Sequence, residues 1–598
     1  MKKGFTLIEL LAVIVVLGIL GLIIIPNVAG TLKNQKDNLY KVQISNIEEA
    51  AKGWASEHFF TLPTSDNEVK SIYLKDLEGF IDTDINNPKA NKNFGKCLKI
   101  NITKVAGTEN YTYKVDESTV DNDSGCDGTI TDNPSTDPSN PSTDPKDPSN
   151  PSTDPSDPST DDPYTDITIA GNDPNLLNNS LTPVIYDETK SSWIVADTSK
   201  EWYNYAKQEW ANAVILNSGV TKKVGDTVVV PTDTSTTSEA KAMLVWIPRY
   251  EYRIEGTYGT HLDGTAGTKD LPGQIEVKFI SKSQTTADSN YILHPAFTWD
   301  DNSDGIIATS EHISGIWVGK FEMSTATTST CYTSALSSNC NNENQEPYIL
   351  PNVQSLRHQN VSTQFNTSLK LKNYLSTVGT TDSHMMKNSE WGAVAYLSQS
   401  IYGKYGNTSY TGANKEVYKN DSRSFYTGRS SGTYPKIESS ASGTCLYNDI
   451  TDRGNGTGSC GGGASTTGNI TGIYDMSGGT SECVMGYLTT ASTTWGGSSK
   501  ENNSGFTSAP ASKYYDAYTS TTSTTACNGG ICYGQALSET SGWYNDGTSF
   551  VDVISPWFSR SGTSYGNHPV GVFFSSYNDG NVFNNIESFR IVLLMPGA

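Results

Sequence analysis

From Phe5 to Val28 the chain is almost uniformly apolar, and its only formal charge is Glu9, with Lys2 and Lys3 just ahead of it. A helix of this length rises about 36 Å, enough to cross a hydrocarbon core of about 30 Å. The basic flank precedes the span, which by the positive-inside tendency leaves residues 1–3 in the cytoplasm and the rest of the chain outside. Beyond the span the pattern becomes amphipathic. Tyr40, Ile44, Ile47, Ala51 and Trp54 recur at helical spacing and predict a stem that packs one face against a head. Short strand-like runs at 96–100 and 111–115 then predict a small sheet, closing near Cys126.

Hydrophobic patterning stops between Asn133 and Pro163, where Asn-Pro-Ser-Thr-Asp-Pro occurs three times, starting at Asn133, Asn140 and Asn150. No core can form there. Proline at this density favours polyproline II, so these 31 residues form a stiff acidic spacer reaching up to roughly 95 Å. No second such break follows, and residues 165–598 read as one elaborated domain. Strand-like runs fall at 228–230, 243–248 and 315–321, and helical stretches at 200–214 and 390–398. The fold class is α+β with extensive loops.

Composition narrows the function classes. At 598 residues several units are expected, and a net charge of −22 repels phosphate backbones, so no nucleic-acid partner is expected. The seven histidines form no His-Glu-x-x-His pair, and there is neither a Walker loop nor a paired Cys-x-x-Cys zinc signature. The expectation is a protein that is not an enzyme and holds no organic cofactor. Nine cysteines in an exported chain predict disulfides. Proximity pairs Cys97 with Cys126, Cys331 with Cys340, Cys445 with Cys460 and Cys527 with Cys532, leaving Cys483 free and buried, although sequence alone does not determine connectivity. Residues 300–311 satisfy the Asp-x-Asn-x-Asp-Gly-x5-Glu spacing of a calcium loop, which assigns calcium to Asp300, Asn302, Asp304, the Ile306 carbonyl and Glu311. The flanks are irregular chain and strand rather than two helices, so the alternatives are a calcium-stabilised loop and a plain acidic turn.

The string Gly4-Phe5-Thr6-Leu7-Ile8-Glu9-Leu10 resembles the type IV prepilin signal over about thirty residues. The resemblance implies cleavage after Gly4 by prepilin peptidase, methylation of the Phe5 amine, and neutralisation of a neighbouring subunit's amine by Glu9. A carboxylate inside an apolar span is costly and is retained for a partner of that kind. The resulting division is a leader at 1–4, a transmembrane and stem helix at 5–57, a pilin-like head at 58–130, a linker at 131–164, and the large domain at 165–598. The implied localisation is the cell membrane before assembly, then the cell surface in an extracellular pilus with other pilin subunits.

Five strings in residues 165–598 resemble the formylglycine-generating-enzyme type of C-type lectin-like fold. They are Met243 to Pro248, Gly315 to Glu322, Met386 to Leu397 with its Glu390-Trp391 pair, Gly472-Ile473-Tyr474-Asp475-Met476-Ser477-Gly478-Gly479-Thr480-Ser481-Glu482, and Ser588-Phe589-Arg590-Ile591. Catalytic members carry paired cysteines shortly before the closing Phe-Arg strand, and residues 557–590 contain none. The resemblance therefore implies a binding fold without that chemistry. Residues 557–590 also resemble the variable segment of retroelement-diversified lectin-like proteins, in which fixed Trp557, Gly571, Phe573 and Phe589 frame changeable positions. Tyr among Ser, Asn and Gly is the composition of adaptable recognition loops. Ligand contact is accordingly expected at Tyr565, Asn567, His568, Tyr577, Asn578, Asp579, Phe583, Asn584 and Asn585.

Together these resemblances imply a minor or tip subunit of a type IV pilin-like assembly that displays a recognition or adhesion domain for a protein or glycan ligand. The rivals are a secretion-system pseudopilin that contacts cargo and a membrane-anchored enzyme of the formylglycine-generating type.

Overall fold

The computed structural model describes parts of the stem helix between residues 36 and 58, most of residues 62–126, and residues 171–596 apart from 233–236, 325–339, 342–344, 377–379, 408–414, 423, 431–444, 451–459, 491–502, 528–529, 564–569 and 582–585. The predicted span 5–28, with Gly4, Phe5 and Glu9, and the linker 131–164 lie outside the described residues. Among the described residues no helix is long and apolar enough to cross a membrane. The chain divides into two compact units, residues 1–155 and 156–598.

In the first unit the described residues between 36 and 55 are helical, and Tyr40, Ile47, Ala51 and Trp54 are buried, as their spacing requires. They pack on a three-stranded antiparallel sheet in the order β1 (Val69–Tyr73), β2 (Lys99–Lys104), β3 (Tyr111–Val115). Ile100 and Ile102 of β2 point into this core while Lys99, Asn101 and Thr103 alternate outward. The strand expected at 96–100 begins only at Lys99, because Lys96 and Cys97 form a turn. Cys97 is there joined to Cys126, with Cα atoms 5.5 Å apart. Glu48 on the helix accepts the Val115 N–H at 3.0 Å and tethers stem to sheet.

The second unit is dominated by sheet, with few helices among the described residues. The strands of its two largest sheets are, in chain order, β4 (Thr182–Asp187), β5 (Ser192–Val195), β6 (Asn212–Leu216), β7 (Thr227–Val228), β8 (Ala240–Pro248), β9 (Gly315–Gly319) and β10 (Asp382–Met385). After helix α1 (Asn388–Ser398) come β11 (Ser481–Leu488), β12 (Asp516–Tyr518), β13 (Trp557–Arg560), β14 (Ser575–Asn578), β15 (Glu587–Phe589) and β16 (Ile591–Leu594). An eight-stranded antiparallel sheet runs β10-β16-β9-β8-β6-β4-β5-β7. A second sheet runs β12-β11-β13-β14, with β15 also paired to β11. Strands β8 and β11 are buried at every position, which explains why β8 reads as a run without alternation. All eleven residues of α1 are buried too. Its residue Gly392 has the Gly534 carbonyl so close that an added Cβ would lie 2.0 Å from it.

Expectations for three segments fail in whole or in part. Residues 200–214 are not helical: a 3-10 turn at Tyr205–Lys207 ends at Gln208 in the left-handed region, with φ +59°, and β6 follows. The buried run Ala211 to Ile215 satisfies its backbone by pairing with β4 and β8, so tertiary pairing overrides a helix-like local pattern. The strand expected at 228–230 is confined to Thr227–Val228, and the one expected at 315–321 ends at Gly319.

Candidate functional site

The expected recognition segment contributes the interior strand β13 and the edge strand β14 to the second sheet. Its framing residues Trp557, Phe573 and Phe589 are buried. The Trp557 ring lies 4.7 Å from that of Tyr487 and 5.7 Å from that of Phe506. Gly571 is required because the Asp546 carboxylate, which accepts the Phe573 N–H at 3.0 Å, would lie about 2.2 Å from any Cβ there. On the edge strand β14, Tyr577 is 50% exposed while its neighbour Asn578 turns inward. Asn578 was expected at the contact surface. It is instead buried, its amide donating to Glu587 and its side-chain carbonyl accepting the Gly580 N–H at 2.6 Å. Asp579 is half-buried and accepts the Asn581 N–H at 3.1 Å. Tyr565, Asn567, His568, Phe583, Asn584 and Asn585 lie outside the described residues.

Three of the strings in the large unit converge on one buried ionic network. Arg590 donates through Nε and Nη2 to Glu482, and also to the Gly319 and Tyr474 carbonyls at 2.8 and 2.9 Å. Glu322 accepts the Thr480 N–H at 2.8 Å and pairs with the Ser355 hydroxyl. Asp475 accepts from Asn420 and from the Gly428 N–H, both at 2.8 Å. Burial pushes the Glu482 carboxyl up to about 7 against the pull of Arg590, and raises Asp475 and, further still, Glu322. A second buried cluster caps α1, where Glu390 at the third helical position accepts the Lys387 N–H at 2.8 Å. The His384 ring nitrogens lie 2.8 Å from Asp382 and 2.8 Å from Glu390. Burial opposes charge on His384, but the field of Glu390 and the two hydrogen bonds outweigh it and raise the imidazole to about 9. Both clusters are sealed from solvent and hold the fold together.

The loop 300–311 forms a compact acidic turn. Asp300 accepts the Asp304 and Gly305 N–H groups, and Asp304 accepts from the Asn302 amide and the Ile306 N–H. Glu311 is buried, and its two oxygens accept the Asp301 and Ala308 N–H groups at 3.0 and 2.8 Å. The oxygens of Asp300, Asp304 and Glu311 do not gather within 4.8 Å of one another. The group among the described residues that does is Cys445, Asp449 and Cys460, and its two sulfurs form a disulfide. Cys527 is joined to Cys532, and Cys340 is disulfide-bonded; Cys331 lies outside the described residues. Cys483 is free and buried, and burial pushes its thiol well above the usual range, which leaves it an inert packing group.

Sequence reasoning missed a cavity of about 280 Å³ between the β4–β5 hairpin, residues 201–212 and residues 469–471. Its only trace in the sequence is the density of aromatic and acidic residues between Tyr186 and Trp210.

A family model of the prokaryotic N-terminal methylation motif matches residues 1–25. The N-terminus is thus of the type IV pilin-like or pseudopilin-like kind, a class that prepilin peptidase processes from a membrane-anchored precursor and that assembles with other pilin subunits at the surface. No curated protein matches the chain.

Proposed function

We propose that the protein is a minor or tip subunit of a type IV pilin-like assembly, carrying residues 165–598 on the Pro-rich linker as a recognition module for a protein or glycan. The observation that carries this reading is the methylation motif at residues 1–25 on the same chain as a separate second unit beginning at residue 156. A module this large is ill-suited to every position of a dense filament, which favours the minor or tip role. The C-type lectin-like character of the module rests on the five ordered strings, and its use of residues 557–590 for contact rests on the exposed Tyr577 of the edge strand β14. A binding rather than a catalytic role is supported by the lack of cysteine in 557–590 and by the burial of Cys483.

Mass spectrometry of surface protein tests the anchor: the expected N-terminus is a methylated Phe5, and an intact Met1 would refute the pilin assignment. Glycan and protein arrays probed with detergent-solubilised full-length protein test the module. Tyr577→Ala is expected to lose the spots that the wild type binds, whereas unchanged spots would place recognition elsewhere.

A further inference from the structure

The cavity beside the β4–β5 hairpin has a chemistry of its own. Its walls are aromatic: Trp193 and Trp210 are fully buried, Tyr186 and Trp202 half-exposed. Trp202 packs edge-on against Tyr203 at 5.1 Å, and Tyr186 against Trp193 at 5.4 Å. Around these faces stand the exposed carboxylates of Glu188, Glu201 and Glu209. Glu201 pairs with Lys207 at 3.1 Å, while Glu188 and Glu209 have no salt bridge among the described residues. Burial and the neighbouring Glu201 and Glu188 raise the Glu209 carboxyl even though Lys207 opposes the shift, so like charges crowd this opening.

Most donors lining the cavity are already used, the buried Trp193 indole N–H excepted. The Trp210 indole N–H donates to the Tyr402 carbonyl at 2.7 Å, and the Tyr203 hydroxyl to Asp173 at 2.8 Å. The Asn212 amide donates to the Trp210 and Thr471 carbonyls, and the Asn469 amide to the Gln208 carbonyl. The buried ammonium of Lys320 beneath Trp193 is satisfied by three oxygens, from Asn212, Ile470 and Gly472. An occupant therefore meets carboxylate acceptors and aromatic faces but few free donors. That arrangement disfavours an anion, supports a neutral sugar poorly, and suits a cation whose apolar stem lies against rings. The volume fits one side chain or a short amine rather than a large ligand.

We infer that this cavity binds an alkylammonium group, carried either by a lysine side chain of a partner polypeptide or by a free aliphatic diamine. The site is separate from residues 557–590 and does not depend on the pilin reading.

The test is titration of detergent-solubilised full-length protein, followed by tryptophan fluorescence, with N-acetyl-lysine methylamide, 1,5-diaminopentane, the uncharged N-acetyl-norleucine methylamide, and a neutral monosaccharide. Saturable binding of at least one ammonium probe is expected, weakening as salt is raised and falling about tenfold or more in the Glu188→Gln, Glu209→Gln double variant with an unchanged melting temperature. Tighter binding of the lysine analogue assigns the site to a polypeptide side chain, and tighter binding of the diamine to a free amine. Binding of the norleucine analogue equal to that of the lysine analogue, binding of the sugar alone, or no saturation by either ammonium probe would overturn the inference. Trp202→Ala is a second variant, expected to weaken both ammonium probes; because it can perturb packing, the carboxamide variants decide.

Discussion

Glu322, Asp475 and Glu482 surround Arg590 with no solvent contact, whereas Glu188, Glu201 and Glu209 stand in the open around a cavity of the same unit. Both are groups of three carboxylates, and their surroundings give them opposite uses. The buried group is engaged with a guanidinium, a hydroxyl, a side-chain amide and backbone N–H groups, and burial favours its protonated forms, so it is unavailable to a ligand. The exposed group has one lysine among three carboxylates and keeps much of its hydration, with Glu209 the most desolvated of the three. The residues that carry the family-like strings belong to the first kind, while the surfaces able to make contact lie where those strings are silent.

The most severe way to break this contrast is Arg590→Met, which leaves three buried carboxylates without their cation. Removing one partner of a buried pair costs about 3–5 kcal/mol, a large share of the ~5–15 kcal/mol that stabilises a typical domain. Urea unfolding should show a much lower midpoint, or the variant should fail to accumulate. The Glu188→Gln, Glu209→Gln variant should stay within about 0.5 kcal/mol of wild type by the same measurement. Equal midpoints for the two variants would erase the distinction.

Next in size is the pH dependence of the buried clusters. His384 is raised from about 6.5 to about 9, so its contribution is complete below pH 6.5 and lost as pH rises through 9, about 3 kcal/mol in all. Glu482, raised to about 7, acts in the same direction between pH 4.5 and 7. Asp382 and Glu390 are lowered, so they act in the opposite sense only below their ordinary range. The contribution of these two groups to the melting temperature should therefore fall from pH 5 to pH 9.5, while the lowered His294 and Lys404 act in the opposite sense. His384→Gln should destabilise the protein at pH 6 and abolish the upper part of that slope while keeping the lower part. A full slope retained above pH 7 in this variant would exclude His384 as its source.

Two adjacent residues sharpen the contrast on a smaller scale. Asn578→Ala leaves the buried Glu587 without its amide partner and should cost roughly 1–3 kcal/mol, whereas Tyr577→Ala on the exposed side should cost less than about 0.5 kcal/mol. Unfolding midpoints that rank the two in the reverse order would place Asn578, not Tyr577, at the surface.

The smallest effect is reserved for calcium. Binding at 300–311 would have to draw Asp300, Asp304 and Glu311 together and free Glu311 from two backbone N–H groups, so affinity should be weak. Millimolar calcium is expected to raise the melting temperature by only about a degree or two over chelated protein. No shift at all would leave the acidic turn.

What the sequence determined alone lies where local pattern and final environment agree. The stem face at Tyr40, Ile47, Ala51 and Trp54, the strand Tyr111–Val115, the buried run at 243–248, most of the run at 315–321, and helix α1 all follow from period or from continuous apolarity. Nearby cysteines met as disulfides because a short separation makes closure cheap in entropy. Tertiary structure decided the rest. The run after Trp210 became a strand because β4 and β8 offered backbone partners on both sides, a fact absent from residues 200–214 themselves. Asn578 and Tyr577 took opposite sides through the position of an edge strand. The cavity joins residues 184–193 and 201–212 to 469–471, more than 250 positions further along the chain, and the ionic network joins Glu322, Asp475, Glu482 and Arg590. Whether a carboxylate is buried and partnered or open to solvent depends on such long-range contacts, because the energy of a charge is set by the dielectric and the neighbours that the complete fold places around it.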